Sequence, residues 1–546
     1  MGISQRIGLW DWLLIALYLA AVLAIGFWAR RRGSQNEQSF VRGDQSLPFW
    51  AVGISMMATA VAADDFVGEP QFSFASDCAL LGAFAVGYIG VIIVATLFLP
   101  KFYDSGALTI YGYIGQRFGS KAKVAASAMS CIGNVFSAGV GLFVAAIAIT
   151  PLLSATSVDY AVMRPWVIGL LVVVGLIGTA YTTIGGIRSV VWTDVLQTVV
   201  IFAGGVYAIY FLISQMPLSW SEMLGHWQNA IAENPDAENQ ANQAVAINKL
   251  SLFRSEGGIS DPYSPITLGL WIVFFVGIFG TNHNYTQRLL ACKSPTKAGV
   301  GMLLGYSVGM LTAVMFLLIG LLIYLFANPD IMGPQHASSF ANSEEVYPRL
   351  VIDFFPTGLL GLSLAAMLAA VMSSFDSATA AIASTFTADV WRPIREGLAT
   401  ADTDNPNRRP PLLATVVTGL ILTTSGVIAA LTYDPKDKLL VDFVLGFASF
   451  PLGGMIGIFC CAIFTKRGNS TSAITALFVG PLVWLFVQPT LLDKITNPLI
   501  GVSLTLTSFS EHWFDWRIEF AWPWWFSIAA VASFAICCVG KTESPS

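Results

Sequence analysis

A run of apolar residues ending MMATAVAA leads straight into Asp64 and Asp65, and then into Gly68, Glu69 and Pro70. A carboxylate at the centre of a bilayer costs about 2.5 to 3.5 kcal/mol on the insertion scale, so an acid pair after such a run needs a compensating role. Comparable groups recur along the chain. Asp194 and Gln197, in YTTIGGIRSVVWTDVLQ, lie one helical turn apart on one face. Ser373, Ser374, Asp376 and Ser377 occupy two turns of LAAMLAAVMSSFDSATAAIASTF, and Asp442 precedes Gly446 and the Pro451, Gly453, Gly454 cluster. Hydroxyls, carboxylates and freed backbone carbonyls are oxygen donors, the ligands hard cations such as sodium prefer. Serine alone also serves helix packing in membranes, whereas ionisable residues at apolar depth mark ion or solute pathways. The chemistry indicated is cation binding. An intramembrane enzyme fits less well: His283 is the only one of four histidines near an apolar run, and the sequence has neither HExxH nor a Ser-His-Asp pattern.

The elements that must position these groups are membrane helices. Of 546 residues, 55% are hydrophobic and 11% charged, and the mean hydropathy is +0.68. Those values exclude a soluble enzyme and a disordered chain alike. With a net charge of -5 and no basic tract, nothing suggests a nucleic-acid partner. The seven cysteines, Cys78, Cys131, Cys292, Cys460, Cys461, Cys537 and Cys538, lack CxxC spacing and avoid the long polar loops, which argues against a disulfide framework or a zinc site.

Apolar runs of about 20 residues predict thirteen spans, near 10–29, 47–67, 80–100, 122–152, 166–183, 189–214, 265–286, 299–327, 353–388, 411–432, 440–464, 471–488 and 521–540. The first is followed by Arg30, Arg31 and Arg32, the reverse of a signal peptide, so it reads as a retained helix with its N-terminus outside. That topology places 19 of the 28 basic residues in cytoplasmic loops and 9 outside, as the positive-inside rule requires. The C-terminus is then cytoplasmic. The longest polar loop, 215–264, is too short for a soluble domain, and only a short tail follows the last span, so the chain reads as one membrane domain without a signalling output.

Two spans look broken. The second loses its apolar character around Ala62 to Pro70. The seventh, WIVFFVGIFGTNHNYTQR, loses it at Gly277, Gly280 and then Thr281 to Thr286, with Gln287 and Arg288 expected near the surface. They stand five spans apart, an odd offset that gives two halves of opposite orientation. Transporters built from inverted repeats place their sites at paired breaks of this kind.

Five stretches in order carry a family resemblance: ARRRGSQNEQSFVRGDQSLPFWAVGISMMAT, FLPKFYDSGALTIYGYIGQRFG, YTTIGGIRSVVWTDVLQ, the QR of NHNYTQR, and GLSLAAMLAAVMSSFDSATAAIASTFTADVW. Over roughly residues 10 to 467 the chain resembles the sodium:solute symporter family. The resemblance implies an all-α polytopic fold with a leucine-transporter-like 5+5 inverted-repeat core. The first and sixth core helices would be broken, helix 10–29 would precede the core at 47–464, and two helices at 471–540 would follow it. It implies a common sodium site from the carbonyls of Ala58, Val61 and Ala370 and the hydroxyls of Ser373 and Ser374. A second sodium site of some members maps onto Asp194, Ser373, Asp376 and Ser377, where relatives with that site carry serine in place of Asp376. Substrate positions map onto Asp64, Asp65, Glu69, Asn282 and Asp442.

The function implied is sodium-coupled symport of a small polar organic solute by alternating access in a bacterial inner membrane. Its partners would be the solute and the lipid bilayer, with no obligatory protein partner. A sodium channel or uniporter on the same scaffold and a proton-coupled symporter remain alternatives. The acids Asp64, Asp65 and Asp442 favour a solute with an ammonium or other cationic group. A sugar remains open, and GEPQF resembles the branch that carries monocarboxylates and vitamins.

Overall fold

The computed structural model describes residues 7–32, 36–61, 65–153, 160–233, 244–255, 258–334, 336, 340, 346–396, 411–432, 451–487 and 520–541. Its spanning helices are α1 (Leu9–Arg32), the pair α2 (Phe49–Ala60) and α3 (Asp65–Ala75), α4 (Ala79–Asp104), α5 (Ser120–Leu153) and α6 (Tyr160–Gln215). There follow the pair α7 (Trp271–Thr281) and α8 (His283–Leu289), then α9 (Pro295–Phe326), α10 (Leu359–Thr385), α11 (Leu412–Thr432), α12 (Leu452–Phe464), α13 (Ser470–Val487) and α14 (Trp522–Val539). Each of the thirteen predicted spans has a helical counterpart among the described residues.

The fifth and sixth spans form the continuous α6, broken at Gly186, whose φ of 57° and ψ of -156° need a residue without Cβ. The two expected breaks are sharp, 66° between α2 and α3 and 63° between α7 and α8. The first lies earlier than the composition suggested. α3 already begins at Asp65 and runs through Gly68, Glu69 and Pro70, so these residues sit inside a half-helix. Pro70 removes the donor to the Phe66 carbonyl one turn back, and the next turn is tied to α9, where Ser73 Oγ donates to the Leu317 carbonyl at 2.8 Å.

The ninth span starts at Leu359 rather than near 353. Val346–Phe354 is a separate helix, and Pro356 and Gly358 (φ 92°) turn the chain before α10 begins. Its orphan N–H groups are met from another element. Asp11 of α1, wholly buried, accepts from Gly358 N and Gly361 N at 2.7 Å each, and its charge complements the helix N-terminus.

The long loop after α6 contains a short antiparallel hairpin, β1 (Ala230–Glu233) and β2 (Ala244–Ile247), a small departure from the purely helical expectation. Beyond it Lys249, buried, donates from Nζ to the carbonyls of Ser73, Phe74 and Ser76 at 3.2, 2.7 and 3.0 Å, closing the C-terminal end of α3. Arg254 grips Asp77 beside it at 2.8 Å.

α10 is the centre of the molecule. Its window of most apolar residues is 89% buried, against 28% for α1, so its small and polar residues meet protein rather than lipid. α2 packs on α9 through glycine: a Cβ at Gly53 would lie 2.0 Å from the Gly301 carbonyl oxygen, and one at Gly305 would lie 2.1 Å from that of Gly53. Small residues let backbones approach this closely in membranes.

Candidate functional site

α2 ends where its last carbonyls face α10. Ala60 is its final residue, and Val61, extended at φ -81° and ψ 104°, turns the chain away. The last carbonyls of a helix lack intrahelical donors; Ala58 and Val61 line a small crevice here with Thr198, Ile201 and Phe202 of α6 and Val308 and Thr312 of α9. Ser374 Oγ of α10 lies 3.4 Å from the Thr59 carbonyl oxygen, while Ser373 and Ala370 are fully buried on the same helix. The elements carrying all five expected common-site ligands therefore meet here, and the donors on offer are oxygens, which suit sodium.

One turn deeper lies a closed polar cluster. Asp194 of α6 accepts from Ser373 Oγ at 2.7 Å through one carboxylate oxygen and from Ser55 Oγ of α2 at 2.5 Å through the other. Arg288 of α8 donates from Nε to Ser55 Oγ at 2.7 Å, stands 3.5 Å from Asp194 Oδ2, and donates from Nη2 to Ser377 Oγ. Thr59 Oγ1 meets Ser377 Oγ at 2.9 Å. Asp376 turns to a different side. Its Oδ2 accepts from the Tyr181 hydroxyl at 2.5 Å, and its Oδ1 is 3.2 Å from Ser377 Oγ. Gln197, one turn from Asp194, donates to the Tyr18 hydroxyl of α1 at 3.3 Å. Asp194 and Asp376 have no exposed surface.

Arg288 corrects an expectation. It was placed near the membrane surface, yet its side chain is only 1% exposed and joins α8 to α2, α6 and α10; Gln287 is buried as well. The bend at Asn282 is the reason, since it turns α8 inward instead of letting α7 run on to the surface. Ser55, Thr59 and Tyr181 also escaped the sequence reading. Ser55 and Thr59 are spaced i, i+4 on the face of α2 that meets α10, a signal visible only once that face is known.

Asn282 lies at the second break. Its Oδ1 accepts from Asn284 N at 3.0 Å, capping α8, and its Nδ2 donates to Asn134 Oδ1 of α5 at 3.3 Å. Both asparagines line a cavity of about 60 Å³, with Ser130, Ser137 and Thr281 and with Pro451 at the start of α12. Asp65 and Glu69 are not among its lining residues. Asp65 occupies the first turn of α3, where a carboxylate complements the helix N-terminus, and Glu69 is buried one turn on. Asp64 and Asp442 lie outside the described residues.

The comparisons with known proteins agree with this architecture. Residues 40–480 match the sodium:solute symporter family. A sodium/glucose cotransporter of Vibrio parahaemolyticus is 26% identical over 509 residues, covering 89% of this chain and 86% of that protein. A sodium/sialic acid symporter of Aliivibrio fischeri is 24% identical over 490 residues, covering 89% of each. Among solved structures, a Na+-coupled sialic acid symporter in a substrate-bound outward-open state superposes with a TM-score of 0.76 at 18% identity, over 98% of this chain and 100% of that one. A nucleobase-cation-symport-1 family transporter gives 0.50 at 15% identity, over 93% and 94%. At such identities these structures speak to the fold alone, the leucine-transporter-like core with its two broken helices. With four-fifths of its length matched, the chain belongs to the sodium:solute symporter family: it is a multi-pass membrane protein and a secondary active transporter that couples a small-molecule solute to sodium.

Proposed function

We propose that this transporter carries a small neutral, hydroxyl-rich solute, with sodium at the Ala58, Val61, Ala370, Ser373 and Ser374 site and a second sodium at Asp194, Ser373 and Ser377. The observation that supports the solute class is the lining of the Asn282 cavity, where amides and hydroxyls from α5 and the α7–α8 break converge without a charged side chain among the described residues. Amides and hydroxyls both donate and accept, which matches a polyol. The glucose carrier among the relatives points to the same class, and the sialic acid carrier to a hydroxyl-rich solute that also bears a carboxylate. Of the acids that would favour an ammonium group, Asp65 and Glu69 are not among the residues lining this cavity, and Asp64 and Asp442 lie outside the described residues.

Sodium entering between α2 and α10 ties the two together and favours the solute-receptive state by its differential affinity. Solute then binds at the α7–α8 break, the outer side closes, and the core rocks to open inward. The ten-helix core at 47–464 performs the cycle, with 10–29 and 471–540 as flanking helices, the N-terminus outside and the C-terminus in the cytoplasm of a bacterial inner membrane. A proton-coupled cycle is the second reading, and it draws on one observation: the Asp376 carboxylate faces the Tyr181 hydroxyl rather than a basic side chain.

Thermal stability of the purified protein, measured against sugars, amino acids, amines and carboxylates in sodium and then in potassium, tests both readings. Stabilisation by a sugar or polyol only with sodium, lost in Ser374→Ala, is the expected result. Stabilisation by an amine overturns the solute class. Equal stabilisation in potassium or at low pH overturns the sodium site in favour of the proton-coupled cycle.

A further inference from the structure

Three of the seven cysteines converge at one end of the α12–α14 contact, away from the sodium and solute residues. Cys461 Sγ, in the last turn of α12, stands 3.6 Å from Cys538 Sγ in the last turn of α14. Cys537 hydrogen-bonds Cys461 as well. The two helices approach closely along their length: a Cβ at Gly453 would lie 2.5 Å from Ala529 Cβ, and one at Gly457 would lie 2.5 Å from Ser533 Cβ. Beyond their ends the Gly468 N–H donates to the Gly540 carbonyl at 2.9 Å. The thiol has a cation beside it. Cys461 Sγ lies 3.7 Å from the Arg467 carbonyl oxygen, and Arg117, on the helix Ile110–Phe118 before α5, donates from Nη2 to that same oxygen at 2.9 Å. A neighbouring guanidinium favours the thiolate, the reactive form. Cys461 is fully buried, whereas Cys538 keeps exposed surface. An accessible thiol next to a buried one is the arrangement in which a first cysteine is oxidised and a second resolves it.

We propose that Cys461 and Cys538 form a peroxide-sensitive pair whose disulfide fastens α12, one wall of the Asn282 cavity, to the flanking helix α14. The Cys538 thiolate attacks one oxygen of the peroxide; an S–O bond forms as the O–O bond breaks, and the departing hydroxide takes up the thiol proton as water. The Cys461 sulfur then attacks the sulfenic sulfur; an S–S bond forms, the S–O bond breaks, and a second water leaves with the Cys461 proton. Two thiols lose two electrons and one peroxide gains them. Closing the pair to an S–S bond takes an approach of about 1.5 Å, within reach of side-chain rotation. The cysteines are free thiols in the structure, and a bridge that opens and closes is the redox-sensing kind found in cytoplasmic proteins. With the C-terminus in the cytoplasm, as proposed above, the pair faces that compartment. α12 contributes Leu452 and Met455 to the cavity lining. Once bridged, this wall is held to a helix outside the ten-helix core and no longer moves independently of it when the core rocks.

The test uses hydrogen peroxide in small molar excess on the purified full-length protein, in the wild type and in Cys461→Ser and Cys538→Ser. It needs neither solute nor sodium, so it stands apart from the solute class proposed above. Peptide mass spectrometry without reductant should find the two segments linked with the loss of two hydrogens, and dithiothreitol should restore both thiols. Hydrogen exchange over Leu452–Phe464 should slow about threefold or more in the bridged protein, since local opening of α12 is restrained. The thermal midpoint should rise by about 2 °C or more, because a cross-link restricts the unfolded chain. Neither change should occur in the two variants, which receive the same peroxide. A link that persists in Cys538→Ser, through Cys537, overturns the pairing. Oxidation of Cys538 to sulfinic acid with no link, or a wild type that keeps all its thiols, overturns the peroxide-sensitive pair. A link that leaves both the exchange of α12 and the midpoint unchanged overturns the fastening. Should Cys461→Ser fail to fold, Cys538→Ser carries the test, since its side chain is the partly exposed one.

Discussion

Asn282 performs two jobs with one side chain: its Oδ1 caps α8 and its Nδ2 reaches Asn134 across the cavity. Aspartate caps a helix as well as asparagine does but has no N–H to donate. Asn282→Asp should therefore keep the fold, with a thermal midpoint close to the wild type, while affinity for the transported solute falls about tenfold, or about 1.4 kcal/mol. A thermal-shift titration with the best solute from the panel reads both quantities; an equal loss of stability and affinity would mean that the residue is only a cap. At this scale the sequence was partly legible. Ser373, Asp194 and Asp376 announced themselves as polar groups in apolar runs. Arg288 did not, because an arginine after a polar stretch reads as a surface residue until the 63° bend turns it inward.

At the scale of elements, α3 depends on a loop that the sequence marked only as long and polar. Lys249 inserts its ammonium over the Tyr324 ring at 4.3 Å and donates to the three carbonyls at the end of α3. Burial pushes this amine down to about 8, against the pull of Asp77 and Cys78, which act to raise it. The docked lysine thus holds fewer protons than a solvated one between pH 8 and about 10.4. By linkage, docking is then favoured as pH rises through that window and carries its full desolvation cost below it. A neutral amine has only two N–H bonds for three carbonyls, so the gain is smaller than the shift alone would give. Hydrogen exchange in the segment around Lys249 should slow as pH rises from 8 to 10, after correction for intrinsic rates, and Lys249→Met should abolish that dependence. A segment that loosens over the same interval would contradict the assignment.

The α2–α9 contact makes a prediction of the opposite kind, with no titration in it. A methyl at Gly305 must displace the Gly53 backbone rather than a flexible side chain. Gly305→Ala should cost about 1 to 3 kcal/mol, the usual range for overpacking, seen as a lower thermal midpoint without change in the sodium dependence of what remains folded. Neither contact could be read from the chain, since glycine frequency says nothing about which helix lies opposite.

For the whole molecule, the thirteen spans and the two broken helices were legible because apolar length and its interruption are local properties. Where the structure differs, α10 starts late because Pro356 and Gly358 turn the chain and Asp11 of α1 takes up its first N–H groups, and α8 turns inward at the 63° bend. The proposed orientation, argued from the charge bias of 19 basic residues against 9, governs whether the Lys249 loop senses external or internal pH. If the N-terminus is outside as proposed, that loop is external and Lys541 is cytoplasmic. All seven native cysteines are buried or half-buried, so new exposed thiols can be labelled over a low background. Ser255→Cys should react with a membrane-impermeant maleimide in intact cells, whereas Lys541→Cys should react only after permeabilisation. The reverse pattern would place the α3 end of the first broken helix on the cytoplasmic side, and sodium driven by the membrane potential would then reach the site from the other end of the core.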